Sequence, residues 1–550
     1  MKRIGFWSFA ALALLVSAPV WAGGGKQGQA ASAAPAAPVS IPAGQSVSQN
    51  TDITAAVTVD FTTLDPQDTS DTLSGGIQRL IMDGLFGFDD DMKVINLLAE
   101  SYTANDQATE FTFVLRKGIS FTDGTPWDAD AFVANIKKWD DKSLRLKRTA
   151  LLSDVIDTWE KIDAYTVKVK LTGPFGALIP TLAHPACVIM SPKQIDAGVN
   201  ACADKAVGTG QYEFVEWVRG DHLTIRLKKD WWGYDSARTG GKPLAEKDAG
   251  FKSITFRPVS ESATRTAMVQ SGDAQIMWTV PPESVKVLQA DKAFSVGIRR
   301  GLTVYYLWMN TQKKPFSDKR VRQALNYALD RNALIAVVEN GIGTVANAIM
   351  GPDTQFAKEM PLIPYDVAKA KQLLAEAGYP NGFSTTIMGP NTSYNSKVLE
   401  FFQQQYAPLG ITIQNKLMES AITNERVQDA TGPGSEVEVE MYLSGWSSST
   451  GDADWAIRPL FATESAPPLN YNLAYFSNAK LDALIKQGLS SADDEVRRKA
   501  YSEAQDLLWD ELPVVPRHIA NYVWVTTSKI INVSNFPDGA INLRAARMAP

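Results

Sequence analysis

The sequence predicts an α/β fold built as two lobes, with the chain crossing between them more than once. Three observations lead there. Strand-like and helix-like segments alternate along the chain after about Thr51. No repeat, low-complexity stretch or flexible linker interrupts them. The remaining length, about 500 residues, corresponds to roughly three ordinary domains or one large bilobed body. Phe111 to Leu115 and Thr166 to Leu171 read as strands from their period-two, β-branched pattern. Asp128 to Trp139 reads as a helix with Asp128 as N-cap. Asp318 to Val338 reads as one long helix, with Val321, Ala324, Leu325, Ala328 and Leu329 on a common face. Asp366 to Ala377 is a third helix, closed by Gly378 at the C-cap position.

The amino terminus sets the compartment. Lys2 and Arg3 precede an apolar run from Phe6 to Val16, and Val20-Trp21-Ala22 ends in a small residue. The run falls short of the ~20 residues needed to span a bilayer, so it reads as a secretion signal cleaved after Ala22. No Cys precedes Cys187, so no lipid-anchored Cys is expected, and a freely diffusing exported protein implies a periplasm. Residues 23–50 are dominated by Gly, Ala, Pro, Ser and Gln and are expected to form a flexible leader, since they bury too little surface to offset chain entropy.

A formal charge of −6 over 550 residues, without a long basic run, leaves no electrostatic footprint for nucleic acid. Hydrophobic residues at 45% and charged residues at 21% are those of an ordinary globular protein. The three histidines, His184, His222 and His518, are scattered and no Cys-x-x-Cys occurs, so neither a metal site nor a cofactor is expected. In an oxidising compartment the two cysteines, Cys187 and Cys202, are expected to form one local disulfide.

Gly208-Thr-Gly-Gln-Tyr-Glu-Phe-Val-Glu-Trp217, followed by Asp230-Trp-Trp-Gly-Tyr234, resembles a segment of the solute-binding proteins of peptide and nickel ABC importers. These are the bacterial extracellular solute-binding proteins of family 5. Further matches follow in the family's order: Leu64-Asp-Pro66, Asp83-Gly-Leu-Phe86, Leu98-Ala-Glu-Ser101, Leu115 to Gly124, Arg257-Pro-Val, Ser271-Gly-Asp, Asn310 to Arg331, and Ala375 to Gly382. Colinearity over most of the chain carries the resemblance; each motif alone has a local reading. The Gly208 and Gly210 pair suits a tight turn at positive φ, and Trp217, Trp231 and Trp232 suit core contacts.

The resemblance implies a two-lobed periplasmic-binding-protein fold. Lobe I would be assembled from 51–95, 208–298 and 520–550, with a small subdomain inserted at 96–207, and lobe II from 299–519. It implies a monomer that closes on a small peptide and presents it to an inner-membrane ABC permease. The chain has no Gly-x-x-x-x-Gly-Lys-Ser/Thr segment, so separate ATPase subunits would supply the energy.

Where dipeptide and oligopeptide binders carry Gly-Trp-x-x-Asp, whose Asp pairs with the peptide ammonium, this chain has Gly445-Trp-Ser-Ser-Ser449. Losing that carboxylate removes a charge-assisted hydrogen bond of roughly 1.5–3 kcal/mol, which argues against ordinary dipeptide recognition. The segment through Asn478, together with His184 to Pro192 and Gly378 to Thr386, most resembles the glutathione-binding members. A tripeptide with two carboxylates and one ammonium needs guanidiniums, an acid and hydroxyl donors. The implied ligand set is Thr69, Ser70, Asp71 and Thr72 from one loop, with Trp446, Ser447, Ser448, Ser449 and Asp452 from the other. Arg299, Arg300 and Arg458 are candidate carboxylate partners, each also suited to an ion pair.

Two other readings remain open. One is a receptor of the same fold for a dipeptide, a nickel chelate or haem. The other is an exported hydrolase, against which stand the missing Gly-x-Ser-x-Gly and His-Glu-x-x-His motifs.

Overall fold

The structure, a computed structural model, describes residues 47–69 and 71–549, apart from the side chain of residue 150. The expected signal and cleavage site, most of the leader, and Ser70 lie outside the described residues. The described end of the expected leader is folded. Ser48–Asn50 is a short 3-10 turn whose Ser48 and Gln49 are buried. Gln49 donates to the Lys247 and Ala249 carbonyls, and the Ser48 hydroxyl accepts from the Met548 amide. Three polar contacts therefore hold a stretch that composition reads as unstructured.

An eleven-stranded sheet runs through the molecule. Each half contains a parallel trio. In the first, Asp52–Val57 lies between Ser253–Pro258 and Ile276–Trp278. In the second, Ser384–Pro390 lies between Thr412–Met418 and Met441–Ser447. Parallel neighbours need long crossovers, which is why helices separate these strands in sequence.

Two long strands join the halves: Phe294–Met309 and Val514–Thr527 pair antiparallel from Phe294↔Thr527 to Trp308↔Val514. Their register slips between Arg300 and Val304, where four steps on one strand match two on the other (Asn521 to Ile519). Beyond the slip, alternation sends Val304, Tyr306 and Trp308 into one core and Leu307 and Met309 into another, so both faces are covered.

A separate four-stranded antiparallel sheet comprises Ala99–Ala104, Glu110–Leu115, Thr166–Leu171 and Ile156–Asp163. The two strands read from sequence are present, and every second residue of each is buried. The helix Ala129–Asp140 is capped by Asp128, which accepts the Ala131 amide. Val367–Glu376 is capped by Asp366, and Gly378 follows it at φ +90°, where a side chain would be strained.

Three expectations need correction. The single helix over 318–338 is two, Lys319–Tyr327 and Arg331–Val337, because the Asp330 carboxylate accepts the Ala333 amide and starts a new helix. Gly208 and Gly210 are absent from the positive-φ residues; a Cβ at either would lie 2.4–2.6 Å from the backbone of Leu80 to Met82. Close approach, not turn conformation, explains these glycines. Cys187 and Cys202 are free thiols buried in the core instead of a disulfide. The Cys202 thiol lies 3.6 Å from the Gln194 carbonyl, and burial pushes both thiols above their usual range, Cys202 to about 11.

Candidate functional site

The loop before the helix Thr72–Ile81 forms one wall of a cavity. Asp65 starts its 3-10 turn, and the buried Lys138 ammonium fastens the turn through Asp65 at 2.8 Å and Gln67 at 2.7 Å. Thr69 donates to the Asp65 carbonyl and accepts from Gln78. Asp71 caps the helix, accepting the Ser74 amide at 2.8 Å and the Thr62 hydroxyl at 2.7 Å. Thr72, Gly75, Gly76 and Arg79 then line the cavity from one helix face, as three- and four-residue spacing requires.

Arg148 and His184 come from the region between the two lobe I segments expected from the sequence. The Arg148 Nε donates to the Thr69 carbonyl at 3.0 Å. His184 accepts the Ala186 amide at Nδ1, 3.0 Å away. From the other half of the sheet, Met441–Ser447 ends against the same cavity and supplies Gly445, Trp446 and Ser447, with Ser449 just beyond it. The Trp446 indole donates to the Trp455 carbonyl at 2.8 Å, which fixes its ring. His184 Nε2 and Ser449 Oγ are 3.1 Å apart, joining the two sides.

The cavity is partly open and holds about 230 Å³, a little below the ~300 Å³ at which typical ligand pockets begin. Arg79 pairs with Asp538 and stands over the Phe536 ring at 4.8 Å. Its Nη1 nevertheless has no partner among the described residues, and neither do the buried Gln78 Oε1 and Ser447 Oγ. The cavity wall thus holds a guanidinium N–H, a hydroxyl and an amide oxygen whose bonding is incomplete. Such groups are costly when buried. Burial, reinforced by Arg148 and Arg79, holds the His184 imidazole well below its usual range and therefore neutral.

Of the residues expected from sequence, Thr69, Asp71, Thr72, Trp446, Ser447 and Ser449 line this cavity. Ser448 and Asp452 do not. Ser448 is buried in a 2.5 Å hydrogen bond with Thr354. Asp452 caps Ala453–Phe461 and forms a 2.7 Å pair with Arg497 beneath the loop.

The three candidate guanidiniums are engaged elsewhere: Arg299 with Asp91, Arg300 with Asp353, and Arg458 with Asp454. Sequence reasoning missed Arg79, Arg148 and His184 as cavity residues. Helical spacing from Thr72 through Gly75 to Arg79 could have found the first; nothing local marks the other two. A second cavity, about 440 Å³, is lined by Tyr305, Glu339, Tyr394, His518 and Tyr522.

The sequence profile of the middle region of bacterial extracellular solute-binding proteins, family 5, matches residues 93–467. The chain is 38% identical over 497 residues to the "Glutathione-binding protein GsiB" of Escherichia coli K12, covering 90% of this chain and 94% of that one. It is 38% identical over 489 residues to the protein of the same name from Salmonella paratyphi A, covering 88% and 92%.

Among solved structures, HbpA2 from Haemophilus parasuis superposes with a TM-score of 0.78 at 23% identity, covering 91% of this chain and all of that one. DppA, an ABC transporter-associated periplasmic binding protein from Helicobacter pylori in complex with the peptide STSA, gives 0.73 at 25%, covering 90% and 99%. The chain has the fold of the periplasmic peptide-binding proteins, and it belongs to family 5 of the bacterial extracellular solute-binding proteins.

Proposed function

We propose that this protein is the periplasmic receptor of an ABC importer, capturing glutathione or a closely related small peptide between its lobes and delivering it to the membrane permease. The observation that carries this reading is the cavity shared by the Thr69–Thr72 loop and the Gly445–Ser449 segment, with unpaired Arg79 Nη1, Gln78 Oε1 and Ser447 Oγ. Two guanidiniums, Arg79 and Arg148, match a ligand with two carboxylates; Gln78 Oε1 and Asp71 offer acceptors for an ammonium. The 38% identity to glutathione-binding proteins of nearly equal length supports the same solute.

The reading takes lobe I as 51–95, 208–298 and 520–550, the inserted subdomain as 96–207 and lobe II as 299–519, closing around the ligand as a monomer. It places the mature protein in the periplasm after removal of residues 1–22. ATPase subunits act with the permease.

Turnover is not part of the reading. A serine hydrolase needs an imidazole that accepts the serine proton, whereas His184 Nδ1 accepts the Ala186 amide, which in a neutral ring puts the proton on Nε2, the nitrogen facing Ser449. Calorimetric titration of the mature protein, stripped of carried-over ligand, tests the assignment. One-to-one binding of reduced glutathione with no heat from alanyl-alanine supports it. Silence from glutathione removes the substrate assignment.

A further inference from the structure

We infer that His184 and Ser449 together reverse the hydrogen-bonding sense of the cavity at position 449, so that the Ser449 hydroxyl donates its proton to a ligand carboxylate. This rests on the small-peptide reading above and deepens it. The argument begins at a backbone group. The Ala186 amide can only donate, and it donates to His184 Nδ1 at 3.0 Å, so that nitrogen carries no proton. A neutral imidazole must then be protonated at Nε2. Nε2 is the atom 3.1 Å from Ser449 Oγ, and it donates there.

The Ser449 oxygen is thereby used as an acceptor, and its own proton must go elsewhere. No acceptor for it is present among the described residues, while Ser449 lines the cavity. An aspartate here would turn the other way: it would take the His184 N–H and leave only acceptor lone pairs facing a ligand. With serine, the 449 side of the cavity is a donor, alongside Arg148, Arg79 Nη1 and the hydroxyl of Ser447.

His184 is a positioning residue in this arrangement, acting through Ser449. His184 is 5% exposed and its side chain caps the turn Pro185–Cys187, so its orientation is set before ligand arrives. The two residues are 265 positions apart, and the bond between them joins two parts of the cavity wall. Ligand selection at this point therefore requires both sides to be together.

The test compares the full mature chain with Ser449→Ala against glutathione and three analogues. One lacks the α-amino group (glutaryl-cysteinyl-glycine), one lacks the α-carboxylate (4-aminobutanoyl-cysteinyl-glycine), and one has the glycine carboxylate amidated. We expect Ser449→Ala to weaken glutathione about tenfold. That factor should persist for the analogue without the amine and vanish for one of the two lacking a carboxylate. A factor that vanishes only without the amine, or that is missing throughout, overturns the proposal.

His184→Gln, which keeps an N–H donor, should retain most of the affinity, whereas His184→Leu should match Ser449→Ala. Equal loss in both His184 variants would reduce His184 to packing and overturn its positioning role. Nitrogen-15 NMR of the ligand-free protein reads the tautomer directly: a proton on Nε2 supports the proposal, and one on Nδ1 sinks it.

If glutathione does not bind at all, the substrate assignment falls separately. The same comparison is then made with alanyl-alanine, its N-acetyl form and its amide. Preference for the N-acetyl form over the amide supports donor polarity, and the reverse preference, or binding of none, overturns it.

Discussion

The loop from Ser447 to Asp454 has two sides, and they handle charge differently. Beneath it, Arg458 forks onto Asp454 with contacts of 2.9 and 2.7 Å, and Arg497 meets Asp452 at 2.7 Å while also donating to the Gly488 carbonyl. These cations are matched to acids of the same half of the sheet, and the Asp454 carboxylate beside Arg458 raises that guanidinium above its usual range. Above the loop, Arg79 keeps an N–H and Ser447 a hydroxyl without a partner among the described residues, and Ser449 meets His184, which caps the turn Pro185–Cys187. The lower cluster is joined by two ion pairs that fix the loop, with only Asp452 Oδ2 lacking a partner among the described residues; the upper one leaves a guanidinium N–H and a hydroxyl without partners. Both are read from one stretch of sequence, yet only one side belongs to the cavity.

If this contrast is right, Asp452→Ala should have the largest effect on stability. It strands a buried guanidinium and should cost about 3–5 kcal/mol in denaturant unfolding, with ligand affinity of the folded fraction little changed. A loss of affinity with intact stability would move Asp452 to the cavity side.

His518 provides the next test, by pH. Burial, with Arg517 adjacent, lowers its value to about 3. Unfolded histidine titrates near 6.5, so as pH falls below ~6.5 the unfolded chain takes up a proton that the folded protein refuses. Stability should therefore drop on acidification, by about 2–3 kcal/mol from this residue at pH 4.5 relative to pH 7.5. His518→Asn should flatten that part of the acid limb; an unchanged slope would mean the imidazole is protonated in the fold.

On the cavity side, Arg79→Gln should weaken glutathione by roughly 1.5–3 kcal/mol, about ten- to 150-fold by calorimetry. Its ion pair with Asp538 means some stability is lost as well, which unfolding measured in parallel separates from affinity. The smallest effect belongs to Arg300→Ala. Its partner Asp353 is 3.4 Å away and both side chains are partly exposed, so stability should move by less than about 1 kcal/mol and glutathione affinity not at all. A clear affinity loss would return Arg300 to the site.

Much of this protein was legible in its sequence because the signals are local. Period-two alternation marks Glu110–Leu115 and Thr166–Leu171, and an Asp before an apolar face marks Ala129–Asp140 and Val367–Glu376. The same logic misjudged 318–338: the apolar face is nearly continuous there, but a cap inside it, Asp330, outweighs propagation.

The site was legible in halves. The two loops were identified, and six of their residues do line one cavity. Which side of the second loop faces inward was not, because Asp452 and Ser449 are separated by only two residues and a turn at Gly451, φ +67°, divides them.

By itself, then, the sequence determined the kinds of element, their order, and through ordered motifs the family. The tertiary structure alone decided that Arg79, Arg148, His184 and Ser449 share one cavity, that the two cysteines stay apart as buried thiols, and that Ser449 is left with a proton to give. The physical reason is range. Helix caps, strand alternation and the Ala186 amide on His184 Nδ1 act over a few residues, whereas the contact between His184 and Ser449 joins groups 265 positions apart that meet only when the sheet and its crossovers have formed.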